Sequence, residues 1–401
     1  MTTTRRIYKE NYLVSSMKIR LADFSDDIYI LLEDNFRREF FKEAYRLSGG
    51  SRNLCKLLGV SRPSLESWRR GRQNSSFSPN IQYCPLRMVR KICRLGENFK
   101  SGRLSNMEHN IVSYKAHSGK LKVNNPIFPI EFNHNLGRII GHLLGDGTAQ
   151  NINGRTSKYT NTSKEMVIDF SKKLSCFGTV SRGNVYVYKY NKQGTSYTIS
   201  FPKAITKILL NKLKINFDWN LSNVPNNFIK ESKEFRIGLI KSFFIDEGCV
   251  KDRGIFFVSG NKKLLEGIRK ICMSLEYNVL LVKESRRIYQ FGLRTNSLSK
   301  FYIDINKFGK VPHESKRIKL KHAIRLTSHK WHKLKLESSI LNLLGAKRRT
   351  SLELAHLLEV RSNAVSIYLA KLERNGLVRR FGKNIGKGGA VIWEISPSSS
   401  C

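Results

Sequence analysis

The sequence lacks the features that define several common protein classes. No stretch approaches the roughly 20 apolar residues needed to cross a bilayer, and the first residues contain no apolar signal core. The 7 cysteines are scattered, and none forms a Cys-x-x-Cys pair. This pattern argues against a disulfide framework and a structural zinc site, and it indicates a reducing compartment. We therefore expect a cytoplasmic protein without a membrane segment.

Acidic residues are also scarce. The 401 residues include 31 Asp and Glu against 72 Lys and Arg, which gives a formal net charge of +41. A surface of this kind attracts polyanions, so DNA or RNA is the expected partner and association with the nucleoid the expected location. No long basic amphipathic helix supports binding to a membrane surface instead. The length predicts about two to four compact units.

One helical pattern occurs twice in the sequence, in residues 136–147 and 237–248. Each copy ends in an acid followed by glycine, at Asp146 and at Glu247. A single Asp-Gly or Glu-Gly pair is an ordinary helix-ending turn. Two copies in register, each followed by the same order of elements, indicate a duplicated functional unit.

The two copies also share small residues on one helical face. These residues are Gly137, Gly141 and Gly145 in the first copy, and Gly238 and Ser242 in the second. Each glycine inside a helix costs about 1 kcal/mol relative to alanine. The pattern therefore predicts that the two faces pack together, which would bring Asp146 and Glu247 side by side.

Two adjacent carboxylates at the ends of helices are electrostatically unfavourable by themselves. The partial negative charge of a helix C-terminus repels a carboxylate, and neighbouring carboxylates raise each other's pKa. A divalent cation reverses both penalties, and oxygen ligands suit Mg²⁺ or Mn²⁺. We therefore predict that Asp146 and Glu247 bind this metal and catalyse cleavage of a phosphodiester.

After each motif, the periodicity predicts two strands, a helix, two further strands and a last helix. Each half is therefore predicted to be an αββαββα unit of an α+β fold, with the first half at 125–227 and the second at 228–322. The flanks differ in pattern. Residues 1–100 are predicted to form an all-α helix-turn-helix domain followed by a linker at 101–124, and residues 334–397 to form a winged helix-turn-helix.

Both flanks are predicted to bind DNA through basic and polar side chains. In the N-terminal flank these are Arg69, Arg70 and Arg72, on a second helix that follows a short helix and a tight turn. In the C-terminal flank they are Arg361, Ser362 and Asn363 at a helix start, with Lys383 and Lys387 in the wing. The glycine-rich wing lacks the spacing of a nucleotide-binding phosphate loop.

The nine-residue segments at 139–147 (Ile-Ile-Gly-His-Leu-Leu-Gly-Asp-Gly) and 240–248 (Ile-Lys-Ser-Phe-Phe-Ile-Asp-Glu-Gly) resemble the motifs of the LAGLIDADG homing endonuclease family. The two-motif form of this family implies a monomer with two pseudo-symmetric halves and a sheet from each half on the DNA major groove. It implies that Asp146 and Glu247 bind the metal, and that the enzyme makes a staggered double-strand cut.

The resemblance also implies a basic residue near the scissile phosphate after the last helix of each half. Lys316 or Arg317 fits this position in the second half, and the first half has no clean equivalent, with Lys212 and Lys214 the nearest. In the second motif, Lys241 occupies a position at which an apolar or small residue is usual.

The sequence thus favours a site-specific, metal-dependent endonuclease that cuts double-stranded DNA. One alternative is a non-catalytic transcriptional regulator that retains the same scaffold, although such a protein has no need of both acids. A second alternative is an RNA maturase that assists intron splicing. The chain has no penultimate His-Asn pair, so we expect a free-standing protein and not a self-splicing one.

Overall fold

The computed structural model describes residues 17–71, 82–95, 104–117, 119–148, 157–190, 194–218, 221–251, 254–285, 288–328, 333–358, 360, 362–383 and 391–397. The chain divides into two compact units. The first unit comprises residues 1–247, 259–275 and 284–289, and the second comprises residues 248–258, 276–283 and 290–401.

Helices account for much of the described chain. Their bounds are α1 Asp34–Ser48, α2 Ser51–Leu58, α3 Arg62–Arg70, α4 Leu86–Cys93, α5 Leu104–Met107, α6 His134–Leu144, α7 Lys164–Lys173, α8 Lys203–Leu213, α9 Lys233–Glu247, α10 Lys262–Ser274, α11 Leu298–Asn306, α12 Glu314–Ser328, α13 Lys333–Ala346, α14 Ser351–Leu357 and α15 Ser362–Arg374. No described helix is both long enough and apolar enough to span a bilayer.

The strands are mostly short and antiparallel. Their bounds are β1 Lys18–Ile19, β2 Ile28–Leu32, β3 Cys84–Pro85, β4 Ile111–Ala116, β5 Val123–Asn124, β6 Ile130–Glu131, β7 Gly147–Thr148, β8 Ser157–Asn161, β9 Thr179–Val180, β10 Tyr186–Tyr190, β11 Gly194–Phe201, β12 Gly248–Lys251, β13 Gly254–Ser259, β14 Lys283–Ser285, β15 Ile288–Gly292, β16 Arg349–Thr350, β17 Val378–Lys383 and β18 Val391–Ile395.

The two repeats have the same topology. The first runs α6–β7–β8–α7–β9–β10–β11–α8, in which β9 belongs to a different sheet, and the second runs α9–β12–β13–α10–β14–β15–α11. The remaining strands form sheets with the orders β10–β11–β8–β7 and β12–β13–β15–β14, so in both sheets the fourth strand in chain order lies between the second and the third. The predicted α+β class and order of elements are therefore present in each half.

The core of the first repeat lies between α7 and its sheet. The ring of Phe170 on α7 stacks on that of Tyr159 on β8 at 4.5 Å between centroids, and it also contacts Phe201 on β11 at 5.4 Å. All three rings are completely buried. Removal of rings of this size from water is the main stabilising term for such a layer.

The N-terminal flank differs from its prediction. Strands β3, β2, β4, β5 and β9 form a five-stranded sheet in that order, so residues 17–117 are not all helical. Strands β4 and β5 lie within residues 101–124, which are therefore not a linker. Short apolar runs do not reveal their secondary structure by periodicity, and the pairing of β2 with β4 joins residues that are distant in sequence.

The same sheet joins the N-terminal flank to the first repeat. Strand β9, which follows α7, pairs with β5, while β1 pairs with β6. Two lysines of α8 add ion pairs: Lys207 binds Asp27, and Lys212 binds Asp23 at 2.8 Å. Lys212 is one of the two lysines nearest to the basic position expected after the last helix of the first half. In the structure it pairs with an acid of the N-terminal flank.

The C-terminal region packs α13, α14 and α15 against the three-stranded sheet β16–β18–β17. Its core includes Ile340, Val365, Leu369 and Trp393. Helix α14 begins with a capping box, because the backbone N–H of Glu353 donates to the hydroxyl of Thr350 at 3.2 Å. The carboxylate of Glu353 accepts from the Thr350 N–H at 2.7 Å, which satisfies two N–H groups at the helix start.

We expect Gly178→Ala to destabilise the junction between the N-terminal sheet and the first repeat. Gly178 has φ of 126°, and an added Cβ would lie 2.6 Å from the carbonyl oxygen of Asn125. Strain of this kind costs about 1–3 kcal/mol, measurable by urea unfolding. Gly382→Ala is the control, because no atom lies within 4 Å of its added Cβ. Equal stability of both variants would contradict the prediction.

Candidate active site

The helices α6 and α9 pack backbone against backbone. A Cβ at Gly137 would collide with the carbonyl oxygen of Phe235, and one at Gly238 with that of His134. At Gly141, an added Cβ would lie 2.9 Å from the Cβ of Ser242. The small residues thus permit an approach that no larger side chain allows.

The ends of the two helices also meet. A Cβ added to Gly145 would lie 2.8 Å from the Cβ of Asp246. These two residues directly precede Asp146 and Glu247, each of which is followed at once by the first strand of its repeat. Asp146 and Glu247 are both partly exposed. The packing therefore places two solvent-accessible acids at adjoining helix ends.

Asn161, at the end of β8, contacts the acid of the first motif. Its amide Nδ2 donates to Oδ2 of Asp146 at 2.8 Å and lies 3.4 Å from Oδ1 of Asp246. Its Oδ1 accepts from the backbone N–H of Ser163 at 2.9 Å, which fixes the orientation of the amide. An asparagine at a strand end is too common for its sequence position to have identified this contact.

Asp246 is a buried acid that the sequence did not single out. Its side chain is completely buried, and it accepts a hydrogen bond from the Tyr159 hydroxyl at 2.9 Å. Nδ1 of His142 lies 2.8 Å from its other oxygen. Burial raises the pKa of Tyr159 well above its usual value, and the charge of Asp246 raises it further. Asp246 is therefore held inside the helix contact, and the adjacent Glu247 is partly exposed.

His142 is neutral, and its neighbours define which nitrogen carries the proton. Burial, followed by the charge of Arg138, lowers the pKa of His142 well below its usual value. Nε2 lies 3.2 Å from the Arg138 guanidinium, which can only donate, so Nε2 accepts. The proton is then on Nδ1, which donates to Asp246.

Arg138 crosses from α6 to α9 in the same buried layer. Only 1% of the residue is exposed, and its guanidinium donates to Ser242 Oγ at 2.5 Å and to Asp169 Oδ2 at 2.5 Å. Burial acts to raise the pKa of Asp169, but the nearby positive charges, with that of Arg138 the largest and Lys173 next, together lower it. Movement of one helix past the other would leave this buried charge without its partners, so the contacts of Arg138 favour one relative position of the two helices.

Lys241, the unusual residue of the second motif, is completely buried. Burial lowers the pKa of its amine to about 7, and the nearby charge of Arg138 acts in the same direction. Burial therefore makes this lysine easier to deprotonate in the folded protein than in the unfolded chain.

The other predicted site residues lie on separate elements. Lys316 is on α12 in the second unit, where its backbone N–H donates to His313 Nδ1 at 3.4 Å. Arg69 forms an ion pair with Glu66 at 2.9 Å, while Arg70 is exposed. Ser362 and Asn363 begin α15, and Lys383 ends β17. Three further residues fall outside the described ranges: Arg72, Arg361 and Lys387.

The donor set at the adjoining helix ends fits a hard divalent cation only in part. Among the described residues, no three His, Cys, Asp or Glu side chains converge as a metal-binding group. Asp146 and Glu247 supply carboxylate oxygens, which suit Mg²⁺, and this ion usually keeps several waters and binds substrate phosphates. The remaining ligands of a metal here would therefore come from water and phosphate.

We expect Gly137→Ala to destabilise the contact between α6 and α9 by about 3 kcal/mol, at the upper end of the usual cost of overpacking. The added methyl group would collide with the backbone of Phe235, which cannot rotate away. Gly345→Ala is the matched control on α13, because its added Cβ finds its nearest atom at 3.6 Å. Calorimetry of both variants tests the prediction, which fails if they melt alike.

We expect Lys241→Met to stabilise the protein, and more strongly at low pH. The folded-state pKa of about 7 lies below the ordinary 10.5, so the unfolded chain binds a proton that the folded chain releases between these values. The burial of Lys241 therefore destabilises the folded protein fully below pH 7. This destabilisation decreases as the pH rises above 7. The expected gain is roughly 2–4 kcal/mol at pH 6, falling by pH 9. Unfolding at both pH values measures it, and a gain independent of pH would exclude the titration of Lys241 as the cause.

Comparison with known proteins gave solved structures only, since no family model and no curated protein matches the chain. A mesophilic variant of the homing endonuclease I-DmoI is 15% identical with a TM-score of 0.32, and the match covers 45% of this chain and 98% of that one. The homing endonuclease I-WcaI, bound to its DNA recognition sequence, is 12% identical with a TM-score of 0.35, and the match covers 47% of this chain and 87% of that one. The N-terminal LAGLIDADG domain of DUF199/WhiA is 11% identical with a TM-score of 0.33, covering 47% and 88%. Over less than half of its length, the chain is thus similar to LAGLIDADG homing endonucleases and to a LAGLIDADG domain.

Proposed function

We propose that this protein is a site-specific endonuclease that cuts double-stranded DNA with the help of a divalent metal. The observation that carries the proposal is the contact of Gly145 with Asp246, which sets Asp146 and Glu247 at adjoining helix ends. Each acid stands where a motif helix passes into the first strand of a sheet. If DNA binds on the surface of these strands, its sugar-phosphate backbone would therefore lie near these carboxylates.

The chain's own residues would prepare the cleavage site. Asp146 and Glu247 would hold Mg²⁺ or Mn²⁺, and Asn161 would keep the Asp146 carboxylate in one orientation through its 2.8 Å hydrogen bond. When bound, the metal would activate a water molecule and stabilise the developing charge on the phosphate. Lys316 would supply a positive charge near the scissile phosphate in the second half.

The flanks would extend the binding surface. We propose that α2 and α3 act as a helix-turn-helix, in which the exposed Arg70 and its neighbours Arg69 and Arg72 contact DNA. We propose that α13–α15 with the β17–β18 hairpin act as a winged helix, with contacts from Arg361, Ser362 and Asn363. Lys383 and Lys387 would bind phosphate from the wing. Release of counterions by these cations would supply most of the affinity.

The test is cleavage of a randomised plasmid library by the full chain as a monomer in Mg²⁺ or Mn²⁺. We expect linear product from the wild type and a loss on the order of 100-fold or more in Asp146→Asn and in Glu247→Gln, because each removes a carboxylate charge that would hold the metal. Glu266→Gln, at an exposed acid of α10, is the matched control and is expected to cut normally.

The outcome also separates the nuclease from a regulator built on the same scaffold. Tight binding of DNA without nicking in any divalent metal would overturn the nuclease and favour the regulator. Equal loss of cleavage in Glu266→Gln would show that the effect of the site variants is one of general charge.

A further inference from the structure

Two adjoining cavities have no lining residue from the motif helices; one runs along α4, and the other lies between β2 and α8. One has a volume of about 740 Å³, and its lining includes Arg87, Arg90 and Lys91 of α4 and Arg94 at the C-cap of that helix. The other has a volume of about 570 Å³ and reaches Lys203 and Lys207 on α8. Asp26 and Arg87 line both cavities, so together they form one groove.

The charge of this groove is not balanced internally. Its two acids are already engaged, because Asp26 pairs with Arg90 and Asp27 pairs with Lys207. Within the described ranges, Arg87, Lys91 and Arg94 pair with no carboxylate, and all three lie on one face of α4 and its C-cap. From Arg87 to Arg94 the helix axis advances roughly 10 Å, which is too far for both cations to meet a single phosphate. The groove therefore suits a chain of phosphates.

An aromatic pair completes the groove. The rings of Tyr29 on β2 and His117, just after β4, lie 4.9 Å apart at an interplanar angle of 36°. Both line the cavity beside Arg87, and His117 is exposed. Aromatic rings beside a row of cations are the combination that binds single strands, because an unpaired base can stack on a ring while its phosphates meet the cations. A duplex hides the base faces that such a pair would contact.

We propose that this groove binds a single-stranded nucleic acid, with a base on Tyr29 and His117 and phosphates along Arg87, Lys91 and Arg94. The site is separate from Asp146 and Glu247, and it would hold an unpaired strand whether or not the protein cuts DNA.

The experiment is fluorescence anisotropy of labelled dT15 and rU15 with the full chain in EDTA, over a range of salt concentrations. For Arg87→Gln/Arg94→Gln we expect roughly tenfold weaker binding and a log-affinity against log-salt slope that is shallower by about 1.4, since two phosphate contacts are lost. Lys262→Gln/Lys263→Gln is the charge-matched control, because these exposed lysines of α10 do not line the groove.

The aromatic contact has its own pair of variants. Tyr29→Leu is expected to weaken binding roughly tenfold, while Tyr29→Phe keeps the ring and the affinity. Circular dichroism verifies that each variant is folded. The proposal is overturned if the double arginine variant binds no more weakly than the lysine control, or if Leu and Phe at position 29 bind alike. Asp146→Asn is expected to bind dT15 like the wild type. Loss of cleavage at the motif acids and loss of single-strand binding in the groove are therefore measured separately.

Discussion

The close approach of α6 and α9 is the constraint on which the rest of the candidate site depends. Gly137, Gly141 and Gly238 each face a backbone atom or small side chain of the opposite helix. Glycine inside a helix is unfavourable by its helix propensity. The close packing of the two helix backbones must therefore offset this free-energy cost. The positions of Asp146 and Glu247 follow from that packing.

A polar layer inside this contact makes the arrangement specific as well as close. Arg138 binds Ser242 across the helices, and His142 binds Asp246 in the same way. A misplaced Arg138 would leave a buried charge without partners, which is strongly destabilising. The layer also connects to the acid of the first motif, because Asn161 reaches both Asp146 and Asp246.

The parts of this structure that depend on local sequence patterns are predictable from the sequence. The duplicated motif, the order of helices and strands in each half and the capping box at Thr350 all have short-range signals. The sequence does not single out Asp246, because its neighbour Glu247 occupies the acidic position of the motif. The burial of Asp246 depends on contacts with Tyr159 and His142, which sequence spacing does not encode. The N-terminal sheet escaped prediction for the same reason, since β2 finds its partner far along the chain.

That sheet has a consequence for biosynthesis. Its edge strand β9 comes from the first repeat, so the N-terminal portion emerges from the ribosome long before the strand that completes it. Until residue 180 has been made, the edge of β5 offers unpaired N–H and C=O groups to any other nascent chain. Domains generally fold as units in order of synthesis, and here the first such unit extends well into the duplicated region.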